Sequence, residues 1–290
     1  NIIFNNSIEN IHFLAIENTE ATVINASGNW LGSSLATTVA ASVSPASVDY
    51  TPWLDSGSDS SGDPGFQSDF ATVWVDDDSP QTGLVARVQE GVNLVSSSTV
   101  NVLPGLYEEQ VVIDADNLNL IGSGSGSNPA VDTIIKSPVS LTYSFNSGLN
   151  NFPIIGVHDC LNVSISDLRV DGAGRGNGNY RFQGIAYWNA DGSVADCAIT
   201  GIRETPLSGT QHGVGFYAFN NTGGPYSIGV TNCDVDDYQK NGFVLAGAGL
   251  TAAVVDCTVT GSGPLGSGLP AQNGIQVSTG AGGLIDGCTI

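Results

Sequence analysis

Twenty-eight carboxylates against seven basic side chains and three histidines are what this chain offers for chemistry. General acid–base work needs two such groups facing one cleft. The densest ionisable cluster is Asp234, Asp236, Asp237 and Lys240. A second holds Arg169, Asp171, Arg175 and Arg181, a basic patch able to bind an anionic sugar. The plainer reading of both, turn aspartates and solvated loop arginines, is the favoured one. His12, His158 and His212 are isolated and match no triad or metal spacing. Asp76, Asp77 and Asp78 set hard oxygen ligands side by side, and calcium is the ion such a set would take. Their spacing is not that of an EF-hand, and consecutive acids also start helices. Calcium aside, no cofactor is expected. Asn5, Asn25, Asn162 and Asn220 open N-x-Ser/Thr sequons, which would accept glycans in a host that attaches them.

Five cysteines, at 160, 197, 233, 257 and 288, carry a second signal. No CxxC spacing argues for zinc. Instead each sits in a recurring phrase: Ser193-Val-Ala-Asp-Cys-Ala-Ile-Thr200, Gly229-Val-Thr-Asn-Cys-Asp-Val-Asp236, Ala253-Val-Val-Asp-Cys-Thr-Val-Thr260 and Leu284-Ile-Asp-Gly-Cys-Thr-Ile290. A weaker copy is Gly156-Val-His-Asp-Cys-Leu-Asn-Val163. Repetition at tens of residues means stacked units. Cys160, Cys197, Cys233, Cys257 and Cys288 are therefore expected as one inward column of buried small side chains. Disulfides between adjacent coils are the competing arrangement.

Composition agrees with many short strands. Gly is 38 of 290 residues and charged residues are only 12%, which suits strands and turns better than helices. The net charge of −21 repels nucleic acid and anionic membranes, so neither is an expected partner. No apolar run approaches a membrane span. Low lysine content and Ser/Thr/Asn/Gly-rich turns point to an extracellular or cell-surface location.

Four segments follow. Residues 1–50 read as closing coils, with strand-like Ile11–Ile16 and Ala21–Asn25 and a turn at Gly28–Gly32. Residues 51–70 are an acidic Ser/Gly linker in which no packed core is expected. Residues 71–96 hold a strand and a capping helix, with Leu84, Val85, Val88, Val92 and Val95 at helical spacing after Ser79-Pro80. Residues 97–290 alternate short apolar strands with Gly, Asn and Asp turns. Coils of about two dozen residues with inserted loops, stacked so that each pairs only with its neighbours, form a parallel β-helix.

The stretch Thr72-Val-Trp-Val-Asp-Asp-Asp78, then Val88-Gln-Glu-Gly-Val92, Thr99-Val-Asn-Val-Leu-Pro-Gly-Leu-Tyr-Glu-Glu-Gln-Val-Val-Ile113 and Leu118-Asn-Leu-Ile-Gly-Ser-Gly124 resembles the opening of secreted right-handed parallel β-helix proteins of the pectin-lyase-like superfamily. The cap and first coils are most similar to pectinesterases. The resemblance implies an all-β, right-handed parallel β-helix solenoid with a short N-terminal capping helix. It also implies two Asp and an Arg on adjacent rungs, with Gln at the oxyanion. The nearest material is Arg181-Phe-Gln-Gly184, Asp191, Asp196 and Arg203, but the surrounding family motifs are missing. The pectate lyase and polygalacturonase motifs are absent as well, so an enzyme is not the expectation.

Segment order suggests what is. Residues 1–50 look like the end of one solenoid, and the next begins near 97. Leu284–Ile290 would run on naturally into Asn1-Ile-Ile-Phe4. The expected architecture is thus split across copies. Asn1, Ile2, Ile3 and Phe4 of one copy would meet Cys288, Thr289 and Ile290 of another. The function expected is an extracellular structural protein, a module assembling head-to-tail with itself into a filament or repeated surface array. The alternative is a carbohydrate-active or carbohydrate-binding β-helix acting on acidic polysaccharide.

Overall fold

The computed structural model describes residues 1–95 and 97–290. The chain is all-β with large parallel sheets and no closed barrel. From Thr99 onward it visits three sheets in rotation. Thr99–Val102 enters the longest sheet, Gly105–Glu108 a six-stranded one and Val111–Ile113 a seven-stranded one. Each strand then pairs in parallel with its counterpart one circuit later, as Val163–Ser166 does with Gly192–Ala195. The circuits begin at residues 99, 119, 163, 192, 226, 250 and 282, so their lengths vary with the loops they carry.

Alternation along each strand makes the core. In the longest sheet Val100, Leu120, Ile165, Val194, Val230 and Val254 stand in register, each at most 1% exposed. Burying such a side chain is worth about 1.5–3 kcal/mol. Where the second sheet turns toward the third, Ile199, Val235 and Val259 form a column. It packs on a column of glycines, Gly184, Gly215 and Gly242. A Cβ on Gly242 would lie 2.3 Å from Val259 Cγ1.

The cysteine column is shorter than expected. Cys197, Cys233, Cys257 and Cys288 each precede residues that pair across the second sheet, Ala198, Asp234, Thr258 and Thr289. They hold equivalent places and are free thiols. Cys160 does not join them. Its rung places Leu168 in that column, because Arg169 pairs with Ala198. Cys160 sits at another corner, in the place Ala190 takes one circuit later. Both corners use the same device, a residue at positive φ followed by a buried apolar one. Asp167, Asp196, Asn232 and Asp256 serve the first corner (φ 53–58°), Asp159 and Asn189 the second (φ 52° and 49°). A local phrase therefore cannot tell them apart. Burial pushes the Cys160 thiol up to about 12, so it behaves as a hydrophobe.

The capping helix, Arg87–Leu94, is shorter than the spacing predicts. Val88, Val92 and Val95 are buried, but Leu84 and Val85 are exposed and precede it. The N–H groups of Val88 and Gln89 donate to the Glu109 carboxylate at 3.1 and 2.9 Å. Ser79-Pro80 does not start the helix; a residue twenty positions downstream caps it. Ser96, the end of the expected 71–96 segment, lies outside the described residues.

Residues 1–54 form a smaller parallel stack with its own core of Ile16, Leu31, Val39, Val43, Tyr50 and Trp53. Ile2 bridges Asn25, and Ile24–Asn25 pairs with Val48–Asp49. Trp53–Leu54 then pairs antiparallel with Thr72–Val75, the start of the longest sheet. The start of the expected 51–70 linker is thus core: Trp53 is 0% and Leu54 2% exposed. Two large apolar side chains there outweigh the polar composition around them. The two stacks are joined by side chains as well. Ser27 Oγ donates to Glu90 at 2.7 Å, and Thr82 N and Oγ1 donate to Asp49 at 2.6 and 2.7 Å.

Candidate functional site

The outer face of the seven-stranded sheet carries two columns in register. One is Ala186, Tyr217, Val244 and Gln276; the other is Trp188, Phe219, Ala246 and Ser278. Strand Asn150–His158 stands between Val111–Ile113 and Phe182–Trp188 in this sheet, and Phe145–Asn146 just before it folds back antiparallel. That fold lays Phe145 flat on Trp188 and Tyr217, with ring centroids 5.6 and 5.8 Å apart. Tyr143 stacks on His158 at 5.0 Å. There is room because position 156 is glycine; a Cβ would meet the Tyr143 ring at 2.9 Å. Tyr217 stacks in turn on Phe219 at 5.9 Å. Together they form an aromatic shelf along the sheet.

Beside the shelf lies a groove of about 280 Å³. Tyr217, Phe219 and Val244 form its apolar floor, and Ser147, Arg181 and His212 rise at its sides. Asn151 Oδ1 accepts from Arg181 Nε at 2.7 Å and from Gln183 Nε2 at 3.0 Å. Gln183 is 2% exposed, yet its Oε1 has no partner. Nor does the buried Nε2 of His212. Burial holds the His212 imidazole below its ordinary range. On the shelf, Trp188 Nε1 and Tyr143 Oη are also buried without partners. Four of the six such atoms among the described residues therefore fall on one face. A buried polar atom without a partner costs about 1–3 kcal/mol, so this concentration is a signature of a site.

The clusters singled out in the sequence lie mostly elsewhere. Asp234 and Asp236 share a shallow cavity on the second sheet with Arg169. Arg169 stands two strands from Asp234, across Ala198, and both carboxylates are exposed. Asp236 also accepts the Thr200 hydroxyl. Asp237 pairs with Arg203 at 2.6 Å, and Lys240 donates to the Ala271 carbonyl. Arg175 pairs with Glu108 at 2.7 Å. Asp191 and Asp196 accept from Asn162 N and Asn232 Nδ2 at the rung corners. Of the cationic cluster, Arg181 alone lines the groove. Among the described residues no Asp or Glu lines it.

Asp76, Asp77 and Asp78 bring carboxylate oxygens within 4.8 Å of one another. Burial, with Asp78 beside it, pushes Asp76 up to about 6. Asp77 accepts the Leu106 N–H at 2.9 Å. Calcium takes six to eight oxygens, so these three carboxylates would hold it with main-chain carbonyls or waters completing the shell. The expected assembly residues lie apart. Phe4 stacks on Phe70 at 5.7 Å, while Thr289 bridges Thr258. Asn220 is not a glycan acceptor in the fold: it is 3% exposed, and its amide donates to the Gly224 and Ala248 carbonyls at 2.7 Å. Asn162 is exposed.

The sequence reading named Arg181, Gln183 and His212 but missed the shelf. Tyr143, Phe145, Trp188, Tyr217 and Phe219 are spread over 77 positions, and only sheet register gathers them. No protein-family model matches the chain, and no curated protein does. Among solved structures, ORF18 of Geobacillus virus E2 is similar with a TM-score of 0.48 and 16% identity, over 70% of this chain and 44% of that one.

Proposed function

We propose that the three rotating sheets form a right-handed parallel β-helix that binds a glycan along the aromatic shelf, outside the cell or at its surface. Right-handedness is what parallel strand crossovers adopt in nearly all cases. The observation that carries the binding reading is the set of partnerless polar atoms beside stacked rings. A sugar offers both halves of the match. Its C–H faces would lie on the half-buried rings of Trp188 and Phe219, and its hydroxyls would reach Gln183 Oε1, His212 Nε2 and Trp188 Nε1, each closed to solvent, once the side chains over them move. The groove's lining is mixed, with Val214, Tyr217, Phe219 and Val244 beside polar groups such as Asn151, Gln183, Asn241 and Gln276, the combination of ring face and hydrogen-bonding edge that a sugar uses.

Tryptophan fluorescence tests this, because Trp188 lies on the shelf. Titration with a panel of neutral and acidic oligosaccharides should give a saturable change that Tyr217→Ala abolishes. No saturable change with any member up to millimolar concentration would sink the reading.

A second reading, head-to-tail assembly, is favoured by the apolar residues of the end rungs. Strand Gly282–Asp286 is paired on one side only, with Leu284 and Ile285 54% and 44% exposed. At the opposite end Ile2 and Phe13 are 78% and 85% exposed. A further rung, from a second copy or from chain continuing past Ile290, would pair the free strand edge and cover its apolar residues. Sedimentation over a concentration series should then show mass rising from monomer; an invariant monomer would dismiss it.

A further inference from the structure

Residues 141–147 lie across the shelf as a strap whose attachment is made mostly by side chains. Its strand pairing is two residues long, Phe145 with Asn151 and Asn146 with Asn150. Gln110 is the main clasp. Its Oε1 accepts from the N–H groups of Thr142 and Tyr143, both at 2.9 Å, and its Nε2 donates to the Tyr143 carbonyl at 3.0 Å. Leu141 N donates to Asn179 Oδ1 at 2.8 Å. Asn151 Nδ2 donates to the Phe145 carbonyl at 3.3 Å and to Ser147 Oγ at 2.8 Å. The chain is exposed on either side of the strap, at Val139 and Ser140 before it and at Gly148 and Leu149 after it. Gly148 stands at φ 101° with open space around it, a freedom that suits a hinge.

The strap sits where a ligand of the shelf would lie. Phe145 stacks on Trp188 and Tyr217, and Tyr143 on His158. Ser147 forms one wall of the groove and accepts from Arg181 Nη2 at 3.4 Å. Closure buries Phe145, which favours it. The same closure leaves Trp188 Nε1 and Tyr143 Oη buried without partners, which opposes it. Gln183 Oε1, whose amide bonds Asn151 beside the strap, is a third such atom. Opposed terms of this kind leave the closed state only modestly preferred, as in segments that open locally.

We infer that residues 141–147 are a movable strap. Closed, it fills the shelf with its own Phe145 and Tyr143. Open, swung on hinges at 138–140 and 148–149, it frees the ring faces and the buried polar atoms for a ligand. The inference rests on the reading of the shelf as a binding site and names its regulation. Ligand and Phe145 compete for the face of Trp188, so apparent affinity falls with the fraction of closed molecules.

Hydrogen exchange read by mass spectrometry tests the motion without a ligand. Strap amides should exchange at least about tenfold faster than those of Phe182–Trp188, and Gln110→Ala should speed them about tenfold more. A cysteine pair, Asn146→Cys with Asn150→Cys, ties the two-residue strand pair when oxidised and releases it when reduced. The native side chains there already touch, Asn146 Nδ2 lying 3.3 Å from Asn150 Oδ1. Acrylamide quenching of Trp188, taken as the difference from Trp188→Phe, should fall on oxidation and rise in Gln110→Ala. Oxidation should also weaken the oligosaccharide binding of the reduced pair by about tenfold or more. Strap amides as slow as those of Phe182–Trp188 in both the native chain and Gln110→Ala overturn the strap, and so does Trp188 quenching that oxidation leaves unchanged. An opening strap with no saturable response to any oligosaccharide keeps the strap and removes the glycan reading.

Discussion

At the residue scale the fold depends on positions where nothing larger than hydrogen fits. Gly242 faces Val259 across a tight corner. A Cβ there would lie 2.3 Å from Val259 Cγ1 and 2.7 Å from the Gly274 carbonyl oxygen. The first neighbour is a stiff β-branched side chain and the second is backbone, so neither yields cheaply. Gly242→Ala should therefore destabilise by about 1–3 kcal/mol, the usual cost of overpacking a core. The expected readout is a lowered chemical-denaturation midpoint with an unchanged slope. A midpoint equal to that of the native protein would mean that the rungs are not packed this closely. The cysteines show what a sequence can and cannot say at this scale. The burial of Cys160, Cys197, Cys233 and Cys257 was legible from the repeated phrase; their unpaired state was not, and Cys288 is only partly buried. Which corner each occupies was not legible either, because Asp159-Cys160 and Asp196-Cys197 have the same local chemistry and differ only in which sheet comes next. The sequon at Asn220 fails for a related reason, since its amide is committed to main-chain carbonyls that no triplet of residues reveals.

At the element scale the cap helix Arg87–Leu94 carries the sharpest prediction. Its first N–H groups are closed by Glu109, and burial pushes that carboxyl up to about 7 despite the two bonds it accepts. Asp76 is pushed up to about 6, again mainly by burial. A carboxyl with a raised native value binds its proton more tightly folded than unfolded. Between pH 4.5 and about 7 the native state therefore holds more protons than the unfolded chain, and stability falls as pH rises through that window. Thermal midpoints should decline from pH 5 to pH 7.5 and level off above. Glu109→Gln keeps an acceptor for the helix and cannot ionise, so it should flatten the decline, an effect of the order of 1–3 kcal/mol. The same slope in native and variant would exclude Glu109 as its source. The helix itself was legible from Val88, Val92 and Val95. Its start was not, because the cap comes from another rung. The aromatic shelf was hidden for the same reason. Register gathers its rings, and the strand alternation that carries them marks only which residues face out.

At the scale of the whole molecule two tendencies oppose each other. The stack exposes apolar residues on its end rungs, Ile2 and Phe13 at one end and Leu284, Ile285 and Ile290 at the other. Burying several of these between copies would contribute about 25 cal/mol for each Å² removed from water, and strand pairing would add main-chain bonds. Against this stands a net charge of −21 on every copy, which two molecules meeting end to end must bring together. Apolar burial hardly depends on salt at these concentrations, whereas repulsion between exposed charges fades once they lie farther apart than the screening length. That length shrinks from about 30 Å at 0.01 M to about 8 Å at 0.15 M ionic strength. End-to-end stacking therefore predicts association that is absent at low salt and appears as salt is raised. Sedimentation velocity at fixed protein concentration across that range reads it directly. Gly282→Asp with Leu284→Asp places two further charges on the outward face of the end strand, at exposed positions, and should abolish association without lowering the thermal midpoint. Growth in mass that persists in the double variant would mean that the copies meet along their sides, where the groove lies, rather than at their ends.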